Sequence, residues 1–171
     1  MKRIIILTGI LFFGIFTANA QKAAKSVFAE LAGPGLASIN FDMRFQQKED
    51  GLGFRAGIGG FSVRSTYYDG TNNYTERTSI VTIPLGLNYL LGKDNKHYFE
   101  LGAGATIVTA KNRDGYTFDN ERFTGSFGHL NFGYRLQPKE GGFLFRAAIN
   151  PIFGNGYFIP YYAGIAFGYK F

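Results

Sequence analysis

Two sets of side chains in this sequence have the types and spacing to do chemistry. The larger is ionic: Glu30, Asp42 and Glu100, with Arg44, Arg55, Arg135, Arg146 and Lys170, lie within largely apolar segments. Charge in such a setting is costly unless it is paired, so these residues would form either a salt-bridged filling or a gated path for ions. The smaller set is Ser126 with His129, a nucleophile and a base. Covalent catalysis needs the two within hydrogen-bond reach and a third group to orient the base. His97 is the only other histidine, and no cluster of His, Asp and Glu has metal-ligand spacing. No metal and no cofactor is therefore predicted. Glycine pairs such as Gly51 and Gly53, Gly57 and Gly59, or Gly102 and Gly104 superficially match a nucleotide loop, but that motif requires a strand leading into a helix, and none follows. The Asn73-Tyr74-Thr75 triplet matches a glycosylation acceptor and is short enough to arise by chance.

The frame that holds these residues is read from composition and from the N-terminus. A length of 171 residues points to one domain. Lys2 and Arg3, the apolar run Ile4 to Phe16 and the small residues Ala18-Asn19-Ala20 form the three parts of a secretory signal peptide. Residues 1–20 are accordingly expected to be removed, leaving 21–171. The run is well short of the roughly 20 apolar residues that a spanning helix needs. Removing Lys2 and Arg3 lowers the formal charge by two, from +6 to +4, and no basic run stands out, so a nucleic-acid partner is not expected. The absence of cysteine excludes disulfides, thiolate metal sites and a cysteine nucleophile. No second long apolar run exists, so a membrane-spanning mature chain would have to be a closed β-barrel, the remaining structure that satisfies its backbone in lipid.

Alternation of period two runs through the rest of the chain. It predicts strands over Val27 to Ala32, Leu36 to Phe45, Leu52 to Arg64, Ser79 to Leu91, Tyr98 to Thr109, Gly128 to Gln137, Gly142 to Phe153 and Ile159 to Phe171. A bulge is expected near Gly59-Gly60, where the third strand changes phase, and Pro84 cannot donate within the fourth. The connections near Gln46, Lys93 and Lys139 are short. Those near Asn72 and Asp119 are long and polar, covering Ser65 to Thr78 and Ala110 to Arg122. Alternating short and long connections suit a barrel with one periplasmic and one external end.

One face of these strands carries Phe, Tyr, Leu and Ile, and the other carries Gly, Ala, Asn and the charges. An eight-stranded barrel has room for only a layer of filling side chains, so the bulky face must point out and the small, charged face in. A water-soluble barrel would show the inverse. Aromatic residues Phe45, Tyr89, Phe99, Tyr134, Phe143, Tyr169 and Phe171 gather near one set of strand ends, as a membrane-interface girdle would. With so little lumen, a salt-bridged plug is the preferred reading of Glu30, Asp42, Arg44, Arg55, Glu100, Arg135, Arg146 and Lys170. Ser126 and His129 are an odd distance apart on one strand, which puts them on opposite faces and argues against catalysis. The long connections offer Tyr67, Tyr68, Asn72 and Tyr74, and Tyr116 and Phe118, as exposed contact residues; loops presented by a rigid scaffold commonly carry function.

The segments FAELAGPGLASINFDMRF, GFRAGIGGF, IPLGLNYLLGK, FELGAGATI, FGYRLQPKEGGFLFRAAINPIF and the terminal AGIAFGYKF resemble the small outer-membrane β-barrel proteins of Bacteroidetes-type bacteria, similar in architecture to OmpX and the OmpA membrane domain. The resemblance implies an outer-membrane location after export through the periplasm. It also implies contact with outer-membrane lipid and insertion by the barrel-assembly machinery, which would read Phe167, Tyr169 and Phe171. It implies no reaction. The expectation is an all-β chain, an eight-stranded antiparallel up-and-down transmembrane barrel, monomeric and non-enzymatic, with a structural or surface-interaction role and an unidentified external ligand. A narrow small-solute pore and a lipid-modifying enzyme are the alternatives; the Ser126 and His129 pair resembles no lipid deacylase motif closely.

Overall fold

A computed structural model describes residues 23–68, 70–71, 73–113 and 122–171, and every regular element among them is a strand. The predicted signal peptide, 1–20, lies outside the described residues. The strands are β1 (Lys25–Ala32), β2 (Ala37–Arg44), β3 (Gly51–Tyr68), β4 (Asn73–Leu91), β5 (His97–Arg113), β6 (Arg122–Leu136), β7 (Gly142–Ile149), β8 (Ile152–Gly154), β9 (Tyr157–Ile159) and β10 (Ala163–Lys170). Neighbours pair antiparallel in chain order from β1 to β7, β10 pairs with β7, and β1 with β10, which closes the ring. β8 prolongs the β7 stave beyond Pro151, and β9 precedes β10 across Pro160, where a residue without N–H interrupts the ladder. The result is the closed eight-stranded antiparallel barrel expected from the alternation.

The faces also fall as the pattern requires. Val27, Leu31, Ile39, Leu52, Leu85, Leu87, Phe99, Phe167 and Tyr169 are exposed on the outside, while Ser26, Glu30, Asn40, Asp42, Asn88 and Glu100 are buried within. All seven residues of the aromatic girdle are exposed at the end that carries the short turns. Phe45 stacks on Phe54 and Phe167 packs against Phe145, with centroids 6.0 and 5.3 Å apart. Among the short turns, Asp94 accepts hydrogen bonds from the backbone N–H groups of His97 (2.8 Å) and Lys96 (3.1 Å). These donors hold its carboxyl below the usual carboxylate range.

The two long connections differ from expectation. β3 and β4 stay paired from Gly51 opposite Leu90 up to Tyr68 opposite Asn73, and β5 and β6 from His97 opposite Leu136 up to Lys111 opposite Arg122. Tyr67, Tyr68 and Tyr74 are therefore residues of a paired hairpin, not of a loop; Asn72, Tyr116 and Phe118 lie outside the described residues. The physical reason is that Thr and Tyr are good strand formers, and a strand paired through its backbone has no need of an apolar outer face. Hydroxyl pairs join the hairpins on that face: Ser62 with Ser79 at 2.9 Å, Thr66 with Thr75 at 3.4 Å and Thr109 with Thr124 at 3.5 Å. Four tall staves, β3 to β6, thus rise above the short β1–β2 turn.

The bulge expected at Gly59-Gly60 is absent. The β3–β4 register holds on both sides of it, with Ala56 opposite Leu85 and Gly59 opposite Thr82; the rungs missing in between are those of Gly57 and Ile58, beside Pro84. The change of phase seen in the sequence is a change of surroundings at constant register.

Candidate functional site

The barrel interior holds seven of the eight predicted charges as one chain of alternating sign. Arg55 donates from Nη2 to Glu30, and Glu30 faces Arg146 Nη1 at 3.7 Å. Arg146 grips Glu100 through Nε (2.8 Å) and Nη2 (2.5 Å). Glu100 lies 3.7 Å from Arg135 Nη1, and Arg135 Nη2 donates to Asp42 at 3.0 Å. Asp42 in turn accepts from Arg44 Nη2 at both carboxylate oxygens, each at 2.8 Å. Six strands contribute, because in each of them the inward residue at that height is charged. Two features that the sequence reading did not single out complete the chain. Asn88 of β4 donates to Asp42 (2.5 Å) and Glu100 (3.1 Å), bridging two acids. Phe28 lies beneath the Arg146 and Arg55 guanidinium groups, 4.5 and 5.3 Å from its centroid. Neutral side chains adjacent to charges carry no sequence signal of their own; parity alone marks them as inward.

Lys170 corrects the expectation. It is buried, but its partner is Glu49 of the β2–β3 turn, at 2.6 Å, outside the alternating chain. Lys170 also donates to the carbonyls of Pro138 (3.1 Å) and Lys139, and Gln137 donates to Glu49 at 3.3 Å. Three chain segments are tied together at this mouth. At the tall end, the β1–β2 turn folds over the interior: Thr82 Oγ1 donates to Gly35 O at 2.7 Å and Thr106 Oγ1 to Pro34 O at 3.1 Å. Between these stoppers, the space lined by Arg55, Asn88, Glu100, His129, Asn131 and Arg146 amounts to about 10 Å³, room for a single water.

Ser126 and His129 are not brought together. His129 is buried, its Nδ1 3.5 Å from Thr106 Oγ1 and its ring against Phe127. Ser126 is exposed on the other face, opposite Ile107. Among the described residues no group of acids and histidines is placed to hold a metal ion. Phe167 and Tyr169 are exposed on the outward face of β10 and Phe171 beyond its end, where the Phe171 N–H donates to Lys25 O at 3.0 Å.

Above the barrel the polarity of the sheet reverses. The inward phase of β3 to β6, which lower down carries Arg55, Asn88, Glu100 and Asn131, continues upward as Phe61 and Val63, Ile80, Val108 and Ala110, then Phe127 and Phe123. Phe61, Val63 and Phe123 are 41%, 48% and 67% exposed. The outward phase there is Ser62, Ser79, Thr109, Thr124 and Ser126, with cations above. This concave apolar face was hidden in the sequence by the polar residues alternating with it.

Comparison with known proteins bears on the fold. No protein-family model matches the chain, and no curated protein sequence does. Among solved structures it is similar to the N-terminal β-barrel domain of Pseudomonas aeruginosa OprF, at 14% identity over 88% of this chain and 98% of that one, with a TM-score of 0.54. It is similar also to Ail, the attachment invasion locus protein of Yersinia pestis, solved with the heparin analogue sucrose octasulfate, at 12% identity over 88% and 100% of the two chains and a TM-score of 0.50. The chain has the fold of the small outer-membrane β-barrels.

Proposed function

We propose that the protein is a non-enzymatic surface-interaction protein of the bacterial outer membrane, of the Bacteroidetes type its motifs resemble, and that its contact element is the β3–β6 protrusion. The observation that carries this reading is the reversal of polarity: a sheet that needed only to stand in water would not turn Phe61, Val63 and Phe123 to an exposed face. The belt of exposed aliphatic and aromatic side chains faces outer-membrane lipid, the short turns face the periplasm, and the tall end faces outward. Tyr67, Tyr68 and Tyr74 stand on the same hairpin as candidate contacts, and Asn72, Tyr116 and Phe118 at its connections. Phe167, Tyr169 and Phe171 on the closing strand serve recognition by the barrel-assembly machinery. The closed ring leaves no unpaired strand in the barrel wall, which supports a monomer.

The similarity to an attachment protein is consistent with adhesion. Cells expressing the protein are expected to attach to a protein-coated surface more than cells without it. The double variant F61S/F123S should lose most of that gain while keeping its heat-modifiable gel mobility. Attachment equal in wild type and variant would refute the reading. The pore alternative is met by the filled interior: purified protein in planar bilayers is expected to give no stable single-channel steps, since the charged chain and both stoppers would have to move before an ion could pass.

A further inference from the structure

The outward wall of the tall staves repeats one vertical order. Toward the tall end, β3 presents Ile58, then Ser62 and Arg64 beyond Gly60; β4 presents Val81, Ser79 and Arg77; β5 presents Ile107, Thr109 and Lys111. An apolar level is followed by a hydroxyl level and then by a cationic one. The register places Arg64 directly opposite Arg77, Arg77 opposite Arg113, and Lys111 opposite Arg122. Like charges directly across a ladder are destabilising. Arg64, Arg77 and Lys111 are exposed and take part in none of the ion pairs among the described residues. Such a row is suited to holding an anion.

Immediately below, where β3 passes the β1–β2 rim, lies a shallow, mostly apolar groove of about 620 Å³, lined by Ala29, Leu31, Ala37, Ile39, Gly60 and Val81 and bordered by Phe61 and Ile80 of the other face. The groove exists because Ala29, Ala37 and Gly60 are small. At Gly60 no other residue fits: its φ is +151° and an added Cβ would lie 2.2 Å from the Ile80 carbonyl oxygen. The Ser62 and Ser79 hydroxyls also border it. From Gly60 to Arg64 is about 13 Å along the strand, less in height because barrel strands tilt by about 40°, and an arginine can reach back over part of that distance. A hydrocarbon chain in the groove would bring its headgroup to the hydroxyl and cation levels.

We propose that the outward wall of β3 to β5, with the β1–β2 rim, binds a phosphorylated lipid of the outer leaflet, its acyl chain in the Ala29–Ala37–Gly60 groove and its phosphate on Arg64, Arg77 and Lys111. This rests on the membrane placement proposed above; Phe61 borders both the groove and the proposed contact surface, so the test below leaves Phe61 unchanged and reads lipid retention, which can fail while attachment succeeds, and the reverse. The test is native mass spectrometry of the full chain in a neutral detergent, titrated with phosphatidic acid, with phosphatidylcholine of the same acyl chains, and with inorganic phosphate. Phosphatidic acid is expected to be retained about tenfold more tightly than phosphatidylcholine. The triple variant R64Q/R77Q/K111Q should fall to the phosphatidylcholine level, and Ala37→Phe, which fills the groove, should weaken retention with the cations intact. Equal retention of the two lipids overturns the proposal. So does full competition by inorganic phosphate at the lipid's concentration, which would mark a site for the free anion. The comparison of lipids on the wild-type protein decides the matter even if a variant does not fold.

Discussion

Glu100→Ala is expected to lower the unfolding free energy of the purified protein by about 3–5 kcal/mol, the range for removing one partner of a buried ion pair, measured by urea titration in detergent micelles with gel mobility as a second readout. Glu100 is 2% exposed and holds Arg146 through two hydrogen bonds, with Arg135 at 3.7 Å and Asn88 at 3.1 Å. The alternating chain already has four arginines against three acids. Without Glu100, two guanidinium groups would face each other across an interior with almost no room for water. Glu100→Gln keeps the size and one acceptor oxygen while losing the charge, so the gap between the two variants separates electrostatics from packing. A loss of under about 1 kcal/mol in Glu100→Ala, the value of an exposed pair, would mean that solvent reaches this site and that the interior is not closed.

Phe28→Ala should cost a similar amount, about 3–5 kcal/mol, as buried Phe→Ala changes do. Phe28 is 1% exposed and packs with Leu144 and Ala166. Its cross-strand neighbour Gly168 leaves room for it: a Cβ there would come within 2.4 Å of Phe28 Cβ and 2.1 Å of the Val27 carbonyl oxygen. The ring carries two cations as well as filling space. Phe28→Leu is therefore expected to restore most of the packing and still fall short of wild type by about 1–2 kcal/mol, the worth of desolvated cation–π contacts. Equal stability of the Leu variant and the wild type in the same urea titration would show that the arginines gain nothing from the ring.

How much of this was legible depended on which physical signal a residue carries. β1, β2 and β10 were readable nearly to their ends because apolar side chains outside and charge inside impose a clean period of two on Val27 to Ala32, Ala37 to Arg44 and Ala163 to Lys170. The upper parts of β3 to β6 were not, because hydropathy there changes sign while the backbone continues; Thr66 paired with Thr75 reads as loop when only apolar alternation is sought. Parity placed all eight charged residues inside, yet not their partners. Asp42 sits directly across from Arg55, but its bonds go to Arg44 and Arg135, while Arg55 turns to Glu30. Those choices follow from the stagger of strands around the barrel and from side-chain length, neither of which is local in sequence. Glu49 shows the same limit from the other side: in QQKEDG it looks like one more solvated turn charge, and only the closed ring brings Lys170 to it.

The join between the first and last strands has more than a ladder holding it. β1 is fastened from inside by Arg135 on Ser26 at 2.9 Å and by Glu30 to Arg55 and Arg146; its turn is held by Thr82 and Thr106; β10 is anchored through Lys170. Parting the wall at that join would strand Glu30 and pull the turn off its threonines together. The barrel is therefore stapled across its own seam, a lock added to the ladder that closes it.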